Sequence, residues 1–167
     1  MGNQVALLRA INLGKNARVS MADLRALGAE LGFDDVATLL QSGNVVYRTS
    51  SSSARAEAAW EQGLRDRIGL TTDVIVRTRA DMQKIIESNP FPAEARKDPA
   101  RLLVMMCKRA PGSALHITGA KDEKVRAVGK DIYIVYPGGV GASRLKLSAK
   151  GTARNWNTVL RIARALQ

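Results

Sequence analysis

Several residues of this chain could hold an anion: Arg9, Asn12, Lys15, Asn16, Gln41, Ser42, Asn44, Arg154, Asn155 and Asn157. Arginine and lysine neutralise phosphate or carboxylate, while amides and hydroxyls orient it through hydrogen bonds. The residues fall in three segments. Asn12 to Arg18 lies between a predicted strand and a helix that Ser20 would cap. Free N–H groups at a helix start, with Lys15 and Arg18 beside them, suit a phosphate. A solvated loop explains the segment as well, because Gly14-Lys15 runs into Asn16 and lacks the upstream glycine of a phosphate-binding loop. Gln41-Ser42-Gly43-Asn44 reads as a tight turn, which accounts for Ser-Gly-Asn but does not demand Gln41. Arg154, Asn155 and Asn157 are expected to open the last helix, with Thr152 as its cap and Arg154, Asn157 and Arg161 on its outer face. Asparagine is a poor helix former, so propensity does not explain the pair.

Other chemistries are poorly supplied. The lone Cys107 excludes an intramolecular disulfide and a cysteine zinc site, and the single His116 excludes a histidine pair. No metal and no cofactor is expected. Ser143-Arg144-Leu145-Lys146 has the Ser-x-x-Lys spacing of penicillin-recognising enzymes, but its companion motifs are missing. A sheet that reads single-stranded RNA needs exposed aromatics on central strands. Tyr133 and Tyr136 fall on opposite faces of their segment, and the glycine-aromatic signature is absent.

Charge is the broader signal. The 167 residues carry +11 overall. Residues 1–79 hold 10 basic and 8 acidic side chains, and residues 80–167 hold 16 and 7. No acid follows Asp131, leaving Arg144, Lys146, Lys150, Arg154, Arg161 and Arg164 unopposed in sequence. Such a field attracts polyanions, although net charge also serves solubility alone. No apolar run is long enough for a membrane helix, and no leader is evident, so a cytoplasmic protein without membrane partners, monomeric or homodimeric, is expected.

The elements that must position these residues follow from periodicity. Strands are expected near 4–12, 36–40, 45–47 and 72–78, and helices from Ser20 to Gly32 and over 54–68, the latter with Ala58, Leu64 and Ile68 inward. That order, β-α-β-β-α-β, is a split-βαβ unit. The second half repeats it in part. It has a helix near 80–88 broken at Asn89-Pro90-Phe91-Pro92 and a buried strand over 102–107. A helical turn follows within 113–118, then a hairpin about Gly129-Lys130-Asp131, a short helix over 143–149 and the final helix. The expected class is α+β, two ferredoxin-like halves with mostly antiparallel sheets, divided near 79–81 into 1–79 and 80–167.

Four stretches occur together in order along nearly the whole chain: Ala6-Leu-Leu-Arg-Ala-Ile-Asn12 with Lys15-Asn16, Gln41-Ser-Gly-Asn-Val45, Asn89-Pro-Phe-Pro92, and Thr152-Ala-Arg-Asn-Trp-Asn-Thr158. They resemble the bacterial family known as domain of unknown function 1697. Ala10 and Leu13 depart from the glycines usual in that family. The resemblance implies two ferredoxin-like halves and no particular activity. Three functional classes stay open: a binding protein for a phosphate-bearing or other anionic ligand, nucleic acid included; a small-molecule enzyme using Arg, Asn and Gln for electrostatic stabilisation; and a protein-interaction module.

Overall fold

Strand β1 (Gly2–Leu8) is buried from Gln4 onward because it has a neighbour on each side. The structure, a computed structural model, describes residues 1–9, 19–40 and 43–167. After β1 comes α1 (Met21–Glu30), where the Ser20 hydroxyl accepts from the Asp23 amide at 3.0 Å and the Asp23 carboxylate accepts from the Ser20 amide at 3.1 Å. These bonds hold the Asp23 carboxyl below its ordinary range. Gly32, at φ +80°, turns the chain after α1. Strands β2 (Asp34–Leu39) and β3 (Asn44–Thr49) pair antiparallel. Then follow α2 (Ser53–Gly63), a π-helical turn over Leu64–Ile68, and β4 (Val74–Thr78).

The sheet order is β2-β3-β1-β4, antiparallel throughout. Ala6, Leu8, Val45, Tyr47, Val74 and Val76 meet Leu24 and Leu27 of α1 and Ala56 and Trp60 of α2 in one core. Phe33 stacks on Tyr47 at 4.5 Å between centroids, and both rings lie 5.7 Å from Trp60. Ala58, expected inward, is exposed; the helical period instead turns Ala56, Trp60 and Gly63 to the sheet. On the other sheet face Val5, Leu7 and Ile75 are also buried, and the Asn3 amide donates to the Leu166 carbonyl at 3.0 Å.

Strand β4 is an edge, so alternate N–H groups lack a strand partner. Carboxylates take them: Glu61 accepts from Val74 N at 3.1 Å, Glu57 from Val76 N at 3.0 Å, and Asp81 from Thr78 N at 2.8 Å. Glu57 and Glu61 are one helical turn apart on α2, so both reach the same strand.

The second sheet follows α3 (Arg79–Glu87) and α4 (Pro92–Lys97), and is made of β5 (Leu102–Cys107), β7 (Lys124–Val128), β8 (Asp131–Val135) and β10 (Gly151–Asn155). Its order, β10-β5-β8-β7, repeats the first sheet strand for strand. The crossovers differ. Single 3-10 turns at Gly112–Ala114 and Val140–Ala142, with a two-stranded ribbon of β6 (Ile117–Thr118) and β9 (Lys146–Leu147), stand where the first sheet has α1 and α2. Leu145, Leu147 and Ala149 pack onto Cys107, Ile132 and Ile134.

Two expectations fail here. Residues 143–149 are not helical: Arg144, Lys146 and Ser148 are exposed while Leu145, Leu147 and Ala149 are half-buried, which is period two. Thr152 does not cap the last helix, because 151–155 is also an alternating strand with Thr152 and Arg154 inward. Helix α5 (Trp156–Ala165) begins after it, and Asn155 caps it by accepting from Thr158 N at 3.0 Å. The chain divides into Met1–Gln83 with Ile162–Gln167, and Lys84–Arg161. No helix of the described residues is long and apolar enough to cross a membrane.

Candidate functional site

At the end of the first sheet where β1 leaves and β3 enters, the structure brings Arg9 and Asn44 together. Asn44 pairs in register with Leu7, and Leu8 N donates to Gly43 O at 2.9 Å. Asn44 is fully buried, and its amide donates to Leu39 O at 2.9 Å, closing the β2–β3 hairpin. Arg9 is held on both sides of its peptide unit. Its N–H donates to Asp73 O at 3.1 Å, its carbonyl accepts from the Thr72 hydroxyl, and its guanidinium meets Asp73 at 3.3 Å. The ion pair is half in solvent, where such a pair is weak. Asn12, Lys15, Asn16, Gln41 and Ser42 lie outside the described residues.

Arg154, Asn155 and Asn157 have three separate roles. Arg154 is on β10, 8% exposed, opposite Val104 of β5. Its guanidinium donates to the Thr152 hydroxyl at 2.5 Å and to Ala153 O at 3.0 Å. Burial lowers its pKa to about 10. It therefore does not share a helix face with Asn157 and Arg161. Asn155 is the cap, and Asn157 is exposed on the first turn.

The C-terminal unit also contains a cavity of about 340 Å³ beside the 3-10 turn at Val140–Ala142. Lys121, Arg144, Glu123 and Ser143 line it. Glu123 accepts from the Ser143 hydroxyl and, at 2.6 Å, from Lys121 N; Ser143 in turn accepts from Leu145 N at 3.1 Å. The Ser143 bond, with the backbone bonds behind it, lowers the Glu123 pKa to about 2. Gly119, at φ +71°, lets the two loops meet: a Cβ there would lie 2.1 Å from Arg144 O. Neither Lys121 nor Arg144 makes an ion pair among the described residues. Sequence reasoning missed Lys121 and Glu123, the latter because its partner Ser143 is twenty residues away; it noted Ser143 only for a serine–lysine spacing that lacked companion motifs. That pairing needs a helix, and the extended chain does not set Lys146 one turn above the serine.

Nor is the second sheet a stacking platform at Tyr133. That side chain is 1% exposed and its hydroxyl donates to Ile85 O at 2.6 Å.

The chain is similar in fold to a conserved bacterial protein from Streptococcus pneumoniae, with 21% identity, a TM-score of 0.73, and coverage of 99% of this chain and 98% of that one. No curated protein matches it. The family model described as protein of unknown function (DUF1697) matches residues 1–133, and the chain belongs to that family.

Proposed function

We propose that the protein binds a phosphate-bearing ligand through its C-terminal unit, with single-stranded nucleic acid as the form its charge favours. One observation carries this reading: residues 132–167 contain no carboxylate side chain, and Arg144, Lys146 and Lys150 are exposed along one extended segment. Arg144 and Lys146 alternate outward, about 6.7 Å apart along the chain. That spacing suits successive phosphates of an extended single strand. Bases would find no stacking partner at the buried Tyr133, so the contact would be mainly electrostatic and largely indifferent to sequence.

The test is a titration of short single-stranded DNA and RNA at several salt concentrations. Binding should weaken steeply with salt. Replacing Arg144, Lys146 and Lys150 together by Gln should reduce the log–log slope by about 2, at about 0.7 per phosphate contact on single strands. No binding at low salt, or a slope unchanged by the triple replacement, refutes the proposal.

A further inference from the structure

At the opposite end of the first sheet from Arg9 and Asn44, the start of β1 lies between the ends of β3 and β4. A groove of about 600 Å³ opens there, and no carboxylate residue lines it. Arg48, at the end of β3, and Arg79, just past β4, stand at its sides. Two strand spacings separate them, about 10 Å. The lining also includes Thr49, Ser50 and Ser51, which continue from the end of β3.

The floor is fixed from beneath. Gln4, 5% exposed, donates to Ser51 O at 2.9 Å and accepts from the Tyr47 hydroxyl at 3.1 Å. Ser51 N donates to the Thr49 hydroxyl oxygen at 3.0 Å, leaving that hydroxyl's own proton for another acceptor. The nearby acids already have partners, one of them a groove arginine. Asp35 meets Arg48 Nε at 2.7 Å in an exposed pair, which leaves both terminal guanidinium nitrogens available. Asp81 accepts from Thr78 N.

Asp35 accounts for Arg48 in part, but local structure does not account for Arg79. Thr78 and Asp81 already cap α3 reciprocally, with Asp81 N donating to Thr78 Oγ1 at 3.1 Å. Arg79 is the first residue of that helix, the end at which the helix dipole disfavours a cation. It makes no ion pair among the described residues. The Ser52 hydroxyl accepts from Arg55 N and so explains itself as the cap of α2, but Ser50 has no such role.

We infer that this groove binds a hydroxyl-bearing phosphate monoester of sugar-phosphate or mononucleotide size. Arg48 and Arg79 would take the phosphate oxygens as charge-assisted donors, and the Thr49–Ser51 turn would bond the remaining polar groups. The inference uses none of the residues proposed to bind nucleic acid.

The experiment is a chemical-shift titration of the isotope-labelled chain with ribose 5-phosphate, with inorganic phosphate and ribose as comparisons. Saturable shifts are expected at the amides of Asn3, Ser50, Ser51 and Arg79. Inorganic phosphate should bind about tenfold more weakly, and Arg79→Gln should lower ribose 5-phosphate affinity about tenfold, the effect of one charged hydrogen bond. Ser50→Ala, away from the helix cap, should weaken binding to a lesser degree with an unchanged thermal midpoint. Absence of saturable shifts, equal affinity for inorganic phosphate, or full affinity in Arg79→Gln overturns the inference. Oligonucleotide binding should be the same in Arg79→Gln as in the parent chain. If it is lost on replacing Arg79, a single polyanion surface replaces the separate groove. Failure of oligonucleotides alone, with ribose 5-phosphate still bound, rejects only the C-terminal reading.

Discussion

Removing the two α2 carboxylates that close the edge of β4 should destabilise the protein strongly. Val74 and Val76 are 0% and 2% exposed, and their outward N–H groups have Glu61 and Glu57 as acceptors at 3.1 and 3.0 Å. A buried donor that loses a charged acceptor costs about 1–3 kcal/mol, so the double change Glu57→Ala, Glu61→Ala should cost about 2–6 kcal/mol. Alanine is the better helix former and returns about 0.5–1 kcal/mol over the two sites. The expected net loss of about 1–5 kcal/mol is a sizeable part of a typical domain stability. With a urea slope of about 2 kcal/mol per M, the midpoint should fall by about 0.5–2.5 M. The double change to Gln keeps an acceptor oxygen at each site and should cost less than half as much. Urea unfolding of the three proteins, with amide exchange followed at Val74 and Val76, measures both effects. A double alanine variant within about 0.5 kcal/mol of the parent refutes the reasoning. So does a glutamine variant as weak as alanine, since the cost would then come from charge or packing and not from the lost acceptor.

Three further outcomes are expected. Gly151→Ala should destabilise by about 1–3 kcal/mol in urea unfolding, because a Cβ at that position would lie 2.5 Å from Met106 O on the paired strand. Asn155→Ala should cost about 1 kcal/mol by removing the α5 cap, while the exposed Asn157→Ala should cost under about 0.5 kcal/mol; equal costs would contradict the assignment of the cap. Glu123 has a pKa lowered to about 2 from 4.5, so its stabilising contribution is full above about pH 4.5 and is lost as the pH falls toward 2. Ser143→Ala, which removes the first cause of that shift, should flatten the fall of the thermal midpoint over this window, and an unchanged pH profile would argue against the Ser143–Glu123 bond.

Much of the architecture was legible where the signal was local. Ser20 and Asp23 are three residues apart, and the capping box they announce is present. The pairing of β2 with β3 and the hairpin at Gly129 follow from apolar segments separated by turn residues. Residues 143–155 were misread because serine, lysine and alanine are compatible with a helix, while the alternation that makes them strands is decided by what covers Leu145 and Leu147. Arg154 was misread for a related reason. A lone arginine near a helix start looks like surface charge, yet its aliphatic stem lies in the sheet and its head bonds to Thr152 and Ala153. Arg9 stands out in the sequence, but its partner Asp73 is 64 residues away and nothing local points to their pairing. The Arg48–Arg79 groove left only a faint trace, the hydroxyl run from Thr49 to Ser53 after an arginine, which a capped helix start explains in part.

The last turn of α5 bears on how the chain comes to be folded during synthesis. Ile162 and Leu166, both almost fully buried, belong with Met1–Gln83, and Asn3 bonds to the Leu166 carbonyl. The first unit is thus made of two segments, 1–83 and 162–167, with the whole of 84–161 translated between them. At about 5–20 residues per second that interval is on the order of ten seconds. Throughout it the nascent N-terminal sheet lacks the apolar side chains that finish it. Early folding would have to stop at a partly formed unit, and a ribosome stall before Ile162 would leave that unit as a client for chaperones.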